Sequence, residues 1–152
     1  MKAVVQRVLN ASCSVDGVVS GSINSGLLVY FGVDKDDDES VIRPFLSKIV
    51  SLRIFMDDKD KMNLSVLDVK QSILIISQFT LCANVYRGNR PSFDSAMESS
   101  KAKQLYLRAI EVLKEMGVHT ETGVFGAHME VQYTNDGPIT FIIDSNNLKI
   151  RG

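Results

Sequence analysis

Apolar residues in the first third of the chain come in short runs, each broken by charge or by turn residues. Lys2 to Leu9 carries Val4, Val5 and Val8 and reads as a strand. Val15-Asp16-Gly17-Val18 predicts a hairpin, because Asp-Gly tolerates the positive φ of a tight two-residue turn. Ser25-Gly26 marks another turn, and Leu27 to Gly32 is an apolar run short enough for a buried strand. The period then changes. Asp36 to Glu39 would favour a helix start, and Val41, Phe45, Ile49 and Leu52 recur at helical spacing. Pro44 conflicts with this, since it removes a backbone donor. Either the helix begins after the acids or it bends.

Further on, Arg53 to Met56 and Ile73 to Gln78 predict strands, separated by the charged turn Asp57 to Lys61. Cys82 to Asp94 holds Gly88 and Pro91 and reads as a loop. Ser99 to Met116 is the clearest helix: Ala102, Tyr106, Ala109, Ile110 and Leu113 form an apolar stripe, and Gly117 supplies the stop. Val118 to Thr122, Ala127 to Thr134 and Ile139 to Asp144 read as strands. No repeat, linker or low-complexity segment interrupts the pattern. The expectation is one domain over residues 1–152 of mixed α/β class. It should be β-rich, with sheets packed together, two main helices on one side, and 146–152 as a C-terminal tail.

Composition narrows the partners. With 17 basic and 18 acidic residues the net charge is −1, which argues against a protein that coats nucleic acid through many phosphate contacts. A small contact with an RNA end remains open, and Arg87, Arg90, Lys101 and Lys103 gather after residue 80. The amino terminus breaks into charge at Lys2 and is read as neither a signal peptide nor a membrane span. Cys13 and Cys82 belong to no paired motif and are read as reduced residues of a cytoplasmic protein.

Most catalytic and binding signatures are missing. His119 and His128 lack cysteine partners at ligand spacing, so no metal site is expected. No phosphate loop, dinucleotide fingerprint or nucleophile elbow occurs. Two segments stand out instead. Ser77-Gln78-Phe79-Thr80-Leu81 places hydroxyls and an amide where the run Ile73 to Ile76 stops. Asn135-Asp136-Gly137-Pro138-Ile139-Thr140 is a strong turn signal between two predicted strands. Each has a bland reading, as strand-end capping or a simple turn, and a chemical one. In the chemical reading, backbone N–H groups at the strand end would receive a developing oxyanion. Thr80 would position a water or attack directly. Gly137-Pro138 is a bond where a cis peptide is accessible, and it would present a rigid wall.

The two segments, with others, resemble the D-aminoacyl-tRNA deacylases. The resemblance runs from Ala3-Val4-Val5-Gln6-Arg7-Val8 through Gly26-Leu27-Leu28-Val29, Lys48 to Phe55, Lys61 to Ser65 and Ser77 to Leu81 with Ala83. It continues through Arg90-Pro91-Ser92-Phe93 and Glu121 to Ala127, and closes with Asn135 to Thr140. It implies hydrolysis of the ester between a D-amino acid and tRNA, with neither metal nor organic cofactor. It also implies a homodimer in which Gly137 and Pro138, joined in cis, reach into the partner's site as a chiral gate. Arg7 would steady that gate through backbone carbonyls. Ser77, Gln78, Phe79 and Thr80 would line the pocket for the terminal adenosine and ester, with Phe79 and Thr80 offering amides and the substrate's 2′-hydroxyl assisting. A gate that excludes L side chains has nothing to exclude in glycine, so glycyl-tRNA should also be hydrolysed. Two rivals stand beside this reading: a noncatalytic module that binds RNA ends, and a general esterase on small acyl substrates.

Overall fold

The computed structural model describes residues 1–148, so Lys149 and Arg151, assigned above to a tail, lie outside the described residues. The elements in order are β1 (Lys2–Val15), β2 (Val18–Ile23), β3 (Gly26–Gly32), α1 (Glu39–Val50), β4 (Phe55–Met56) and β5 (Met62–Leu64). They are followed by β6 (Ser72–Ser77), α2 (Ser99–Glu115), β7 (Thr120–Thr122) and β8 (Glu130–Asp144). β1 runs well past Leu9 because alternation continues in small residues: Ala11 and Cys13 are buried between partly exposed Ser12 and Ser14. Asp16 and Gly17 make the expected turn, both with positive φ, at 50° and 78°.

β1 organises the sheet. β3 pairs antiparallel with Lys2 to Val8, and β2 with Ala11 to Val15. β8 pairs antiparallel with β1 from Lys2 to Ser14. β6 adds to β3 in parallel, and β7 to β6 in parallel. Gly21 of β2 then presses on β7, since a Cβ there would lie 2.4 Å from the Thr122 carbonyl oxygen. Ser20 Oγ also donates to that oxygen at 3.3 Å. One six-stranded sheet therefore curls until it is nearly closed. This corrects the expectation of sheets packed together. Among the described residues the only other sheet is the small β4–β5 pair.

The curl buries both faces of its central strands. Leu27, Val29, Phe31, Ile73 and Ile75 pack with the helices, while Leu28, Leu74 and Ile76 join Val8, Ala11, Cys13 and Ile23 on the other side. That double burial is why β3 and β6 read as unbroken apolar runs. Both cysteines are buried and free. α1 begins at the acids, with the Asp38 carboxylate accepting from the Ser40 amide at 2.8 Å. Pro44 therefore sits inside the helix, where its missing N–H leaves the Ser40 carbonyl without its helical partner. The alternative of a later start is wrong. In α2 the predicted stripe is the buried face.

Tyr106 ties α2 to the sheet, its buried hydroxyl donating to the Ile75 carbonyl at 2.9 Å. Burial pushes its pKa up, so the hydroxyl keeps its proton as a donor. Tyr106→Phe is expected to lower stability by about 1 kcal/mol. A urea midpoint shift with an unchanged slope would measure it. The loss stays modest because the Gly123 amide also reaches that oxygen, at 3.3 Å.

Candidate active site

Parallel strands put their carboxyl ends on one side of a sheet, and ligands bind there in open α/β sheets. Here β3, β6 and β7 are mutually parallel. β6 ends at Ser77, which lies opposite Phe31, and the Gln78 amide donates to the Phe31 carbonyl at 2.8 Å. The chain then enters a single 3-10 turn, Phe79–Cys82. The first amides of such a turn have no acceptor within it, and Gln78 makes no side-chain capping bond to them. Gln78 Nε2 donates to Thr80 Oγ1 instead. The two residues thus hold each other across the turn, with Thr80 exposed and Gln78 half-buried.

Beside this turn lies a cavity of about 480 Å³. Ser77, Gln78 and Phe79 form one side of it. Phe125 to Met129, from the loop after β7, form another, and Ser99 and Ala102 of α2 close it. The lining is mostly apolar and includes no carboxylate and no thiol. Its titratable groups are His128 and Tyr30. Burial, then the neighbouring Tyr133, pushes the Tyr30 hydroxyl up to about 12, so it stays protonated at neutral pH. Among the described residues no group of three or more His, Cys, Asp or Glu side chains gathers where it could hold a metal ion. A larger hollow between Lys114 and Thr122 includes none of Arg7, Ser77 to Thr80, Gly137 and Pro138.

The other singled-out residues lie elsewhere on the chain. Val8 pairs with Asn135 and Gln6 with Thr140, so Asp136 to Ile139 leave the ladder opposite Arg7 alone. The segment is an outward excursion within one strand, not the turn between two strands that the sequence predicts. Asn135 ties off its base: Oδ1 accepts from the Ile139 amide at 2.9 Å, and Nδ2 donates to the Ile139 carbonyl at 3.2 Å. The Gly137-Pro138 peptide is cis, and both residues are exposed. Arg7, 6% exposed, lies beneath. Its guanidinium donates to the Ile54 carbonyl at 2.7 Å, and its Nε lies 3.0 Å from Asp136 Oδ2 as an ion pair. The carbonyl it meets belongs to Ile54, before β4, and not to the Gly-Pro segment. Gly137, Pro138, Arg7 and the Thr80 side chain do not line this chain's own cavity.

Sequence reasoning missed the opposite wall. Tyr30, Phe125, His128 and Met129 reach the cavity from elements far apart in the chain. The available signal was the segment Glu121 to Ala127, which carries the family pattern but few reactive side chains.

Comparison with known proteins gives the family. The family model described as D-Tyr-tRNA(Tyr) deacylase matches residues 4–144. The D-aminoacyl-tRNA deacylase of Aquifex aeolicus is 51% identical over 97% of this chain and 100% of its own length. That of Persephonella marina is 53% identical over the same shares. A solved structure named c-Myc DNA Unwinding Element Binding Protein is 38% identical, with a TM-score of 0.90 over 95% of this chain and 98% of its own. The family model and these relatives cover nearly the whole chain, and the chain belongs to the D-aminoacyl-tRNA deacylases, hydrolases of aminoacyl-tRNA ester bonds.

Proposed function

We propose that this deacylase is selective for D-aminoacyl and glycyl esters, with Phe79 and Thr80 supplying an oxyanion site from their backbone amides. The observation that carries this is the pair of unused turn amides at the carboxyl end of β6, on the edge of a cavity without a carboxylate or thiol. An activated ester needs positioning and oxyanion stabilisation more than a strong base. Water adds to the ester carbonyl and gives a proton to the substrate's 2′-hydroxyl, which passes its own proton to the ester-linked ribose oxygen as the bond from that oxygen to the acyl carbon breaks. Thr80, whose hydroxyl is held by Gln78, is a positioning residue first and a nucleophile second.

Chirality is read by Gly137 and Pro138 of a second copy. Two features support that assignment: the excursion is exposed, and it does not reach its own chain's cavity. Past the excursion β8 exposes Phe141 and, at 83%, Ile142, apolar side chains that a second copy would cover. Such an enzyme works in the cytoplasm as a proofreader of charged tRNA, and among the described residues no helix is long and apolar enough to cross a membrane.

The deciding experiment compares deacylation of D-tyrosyl-tRNA and L-tyrosyl-tRNA with metal chelated throughout. Loss of the D-ester alone is expected. Equal loss of both would remove the gate, and binding without turnover would leave a noncatalytic module. Glycyl-tRNA is expected to be hydrolysed at enzyme levels that clear the D-substrate. Its survival under those conditions would count against selection by exclusion.

A further inference from the structure

Next to the cavity the chain throws out an arm that the hydrolytic site does not use. Asn84 and Ser92 close its base with two backbone bonds, Asn84 N–H to the Ser92 carbonyl at 2.8 Å and Ser92 N–H to the Asn84 carbonyl at 3.0 Å. The Tyr86 amide donates to Asn84 Oδ1 at 3.0 Å, and Gly88 makes the bend at φ 67°. The arm is therefore shaped by its own bonds. Its tip is unusual for a protein of net charge −1: the segment Asn84 to Ser92 holds two arginines and no acid. Arg87 and Arg90 are exposed, and neither belongs to any ion pair among the described residues. Tyr86 beside them is 93% exposed, with nothing to gain in the folded chain from that placement.

The arm is also continuous with the cavity. Phe93, just past its base, packs on Phe79 of the cavity wall, the ring centroids 5.0 Å apart. Lys101 and Lys103 are exposed on the first turns of α2, whose Ser99 and Ala102 line the cavity. An exposed aromatic ring flanked by unpaired guanidinium groups is the composition that holds single-stranded nucleic acid: the ring stacks a base and the cations meet phosphates.

We propose that the arm from Asn84 to Ser92 holds the single-stranded 3′ end of the tRNA immediately before its terminal adenosine. Tyr86 stacks a base there, and Arg87 and Arg90 meet the adjoining phosphates. The inference rests on the deacylase reading, since it requires the terminal adenosine in the cavity. It explains how a nearly neutral protein grips a polyanion: a few contacts at one end suffice where broad coating does not occur. It also separates two tasks, with the cavity reading the ester and the arm supplying affinity that is indifferent to the amino acid.

The test uses two D-tyrosyl esters, one of adenosine alone and one of a short single-stranded RNA ending in adenosine. Tyr86→Ala is expected to raise KM for the RNA ester about tenfold, the effect of losing one stacked base. Its kcat should hold, as should both constants for the adenosine ester. Tyr86→Phe keeps the ring and should restore wild-type KM. Arg87→Ala and Arg90→Ala should each reduce the salt dependence of kcat/KM for the RNA ester by about 0.7 in log–log slope. Equal losses on both esters would overturn the proposal, because the arm would then be acting on the cavity through Phe93 and Phe79. An unchanged KM for the RNA ester would also overturn it, as would an effect that appears only with whole tRNA and so belongs to the paired stem. Failure of the wild type to hydrolyse either ester is a different result, and it would bring down the deacylase reading itself.

Discussion

Phe79→Pro is expected to lower kcat roughly 10²–10³-fold further than Phe79→Ala does, the loss that follows removal of one oxyanion donor. A backbone donor cannot be deleted by trimming a side chain, but proline removes it outright. The site accepts the change for two reasons. Phe79 is the first residue of its 3-10 turn, where proline's fixed φ fits and the N–H serves no bond within the turn. Gln78 before it lies at φ −145° and ψ 84°, outside the helical region that a following proline disfavours. Phe79→Ala keeps the amide and removes the ring that packs on Phe93, so it should act mainly on KM. Single-turnover rates at saturating enzyme would separate the two effects. Equal kcat for the proline and alanine variants would end the case for a backbone oxyanion site.

Arg7→Ala should destabilise the fold by roughly 2–4 kcal/mol and lower the ratio of D- to L-ester hydrolysis. The buried guanidinium is the donor to the Ile54 carbonyl, and leaving that oxygen unpaired accounts for roughly 1–3 kcal/mol. The void left by the side chain adds to this. Asp136 contributes less. Its side chain is 39% exposed, so water can replace the lost cation, and Asp136→Asn is expected to cost under about 1 kcal/mol. Urea midpoints of the two variants decide the matter: comparable losses would mean that the ion pair, and not the Ile54 bond, carries the stability. Arg7→Lys should rescue little, because an ammonium cannot present a planar fork to both partners. The selectivity effect follows from position, since Arg7 is the one β1 residue opposite the whole Asp136–Ile139 excursion.

Local features were legible in the sequence and long-range ones were not. The α2 stripe, its glycine stop and the Asp16-Gly17 turn depend on residues a few positions apart, and each stands where the pattern placed it. The pattern ends β1 too early because Ala11 and Cys13, though buried, alternate with serines and make no apolar run. The excursion in β8 looked like a hairpin turn because sequence records the turn residues but not the partner. Only the register shows both halves lying along the same strand. For the site, Ser77 to Thr80 could be found because its chemistry is contiguous. Arg7 stands out through the resemblance, but its carbonyl partner lies 47 residues away and no spacing rule points to it. In the Phe125–Met129 wall only the family pattern of Glu121 to Ala127 is legible, because the wall contributes shape more than chemistry.

The double pairing of β1 bears on how the protein is made. Its first strand waits for its last, since residues 130–144 complete the ladder along residues 2–14. A ribosome that has released everything up to β7 has released a sheet whose opening strand still shows a bare row of amides and carbonyls, the template on which foreign strands assemble. Contacts of such separation also form slowly. The nascent chain is therefore most exposed to misassembly, and most dependent on chaperones, in the interval before β8 emerges. Chains truncated within β8 should be removed by proteolysis and not accumulate as folded protein.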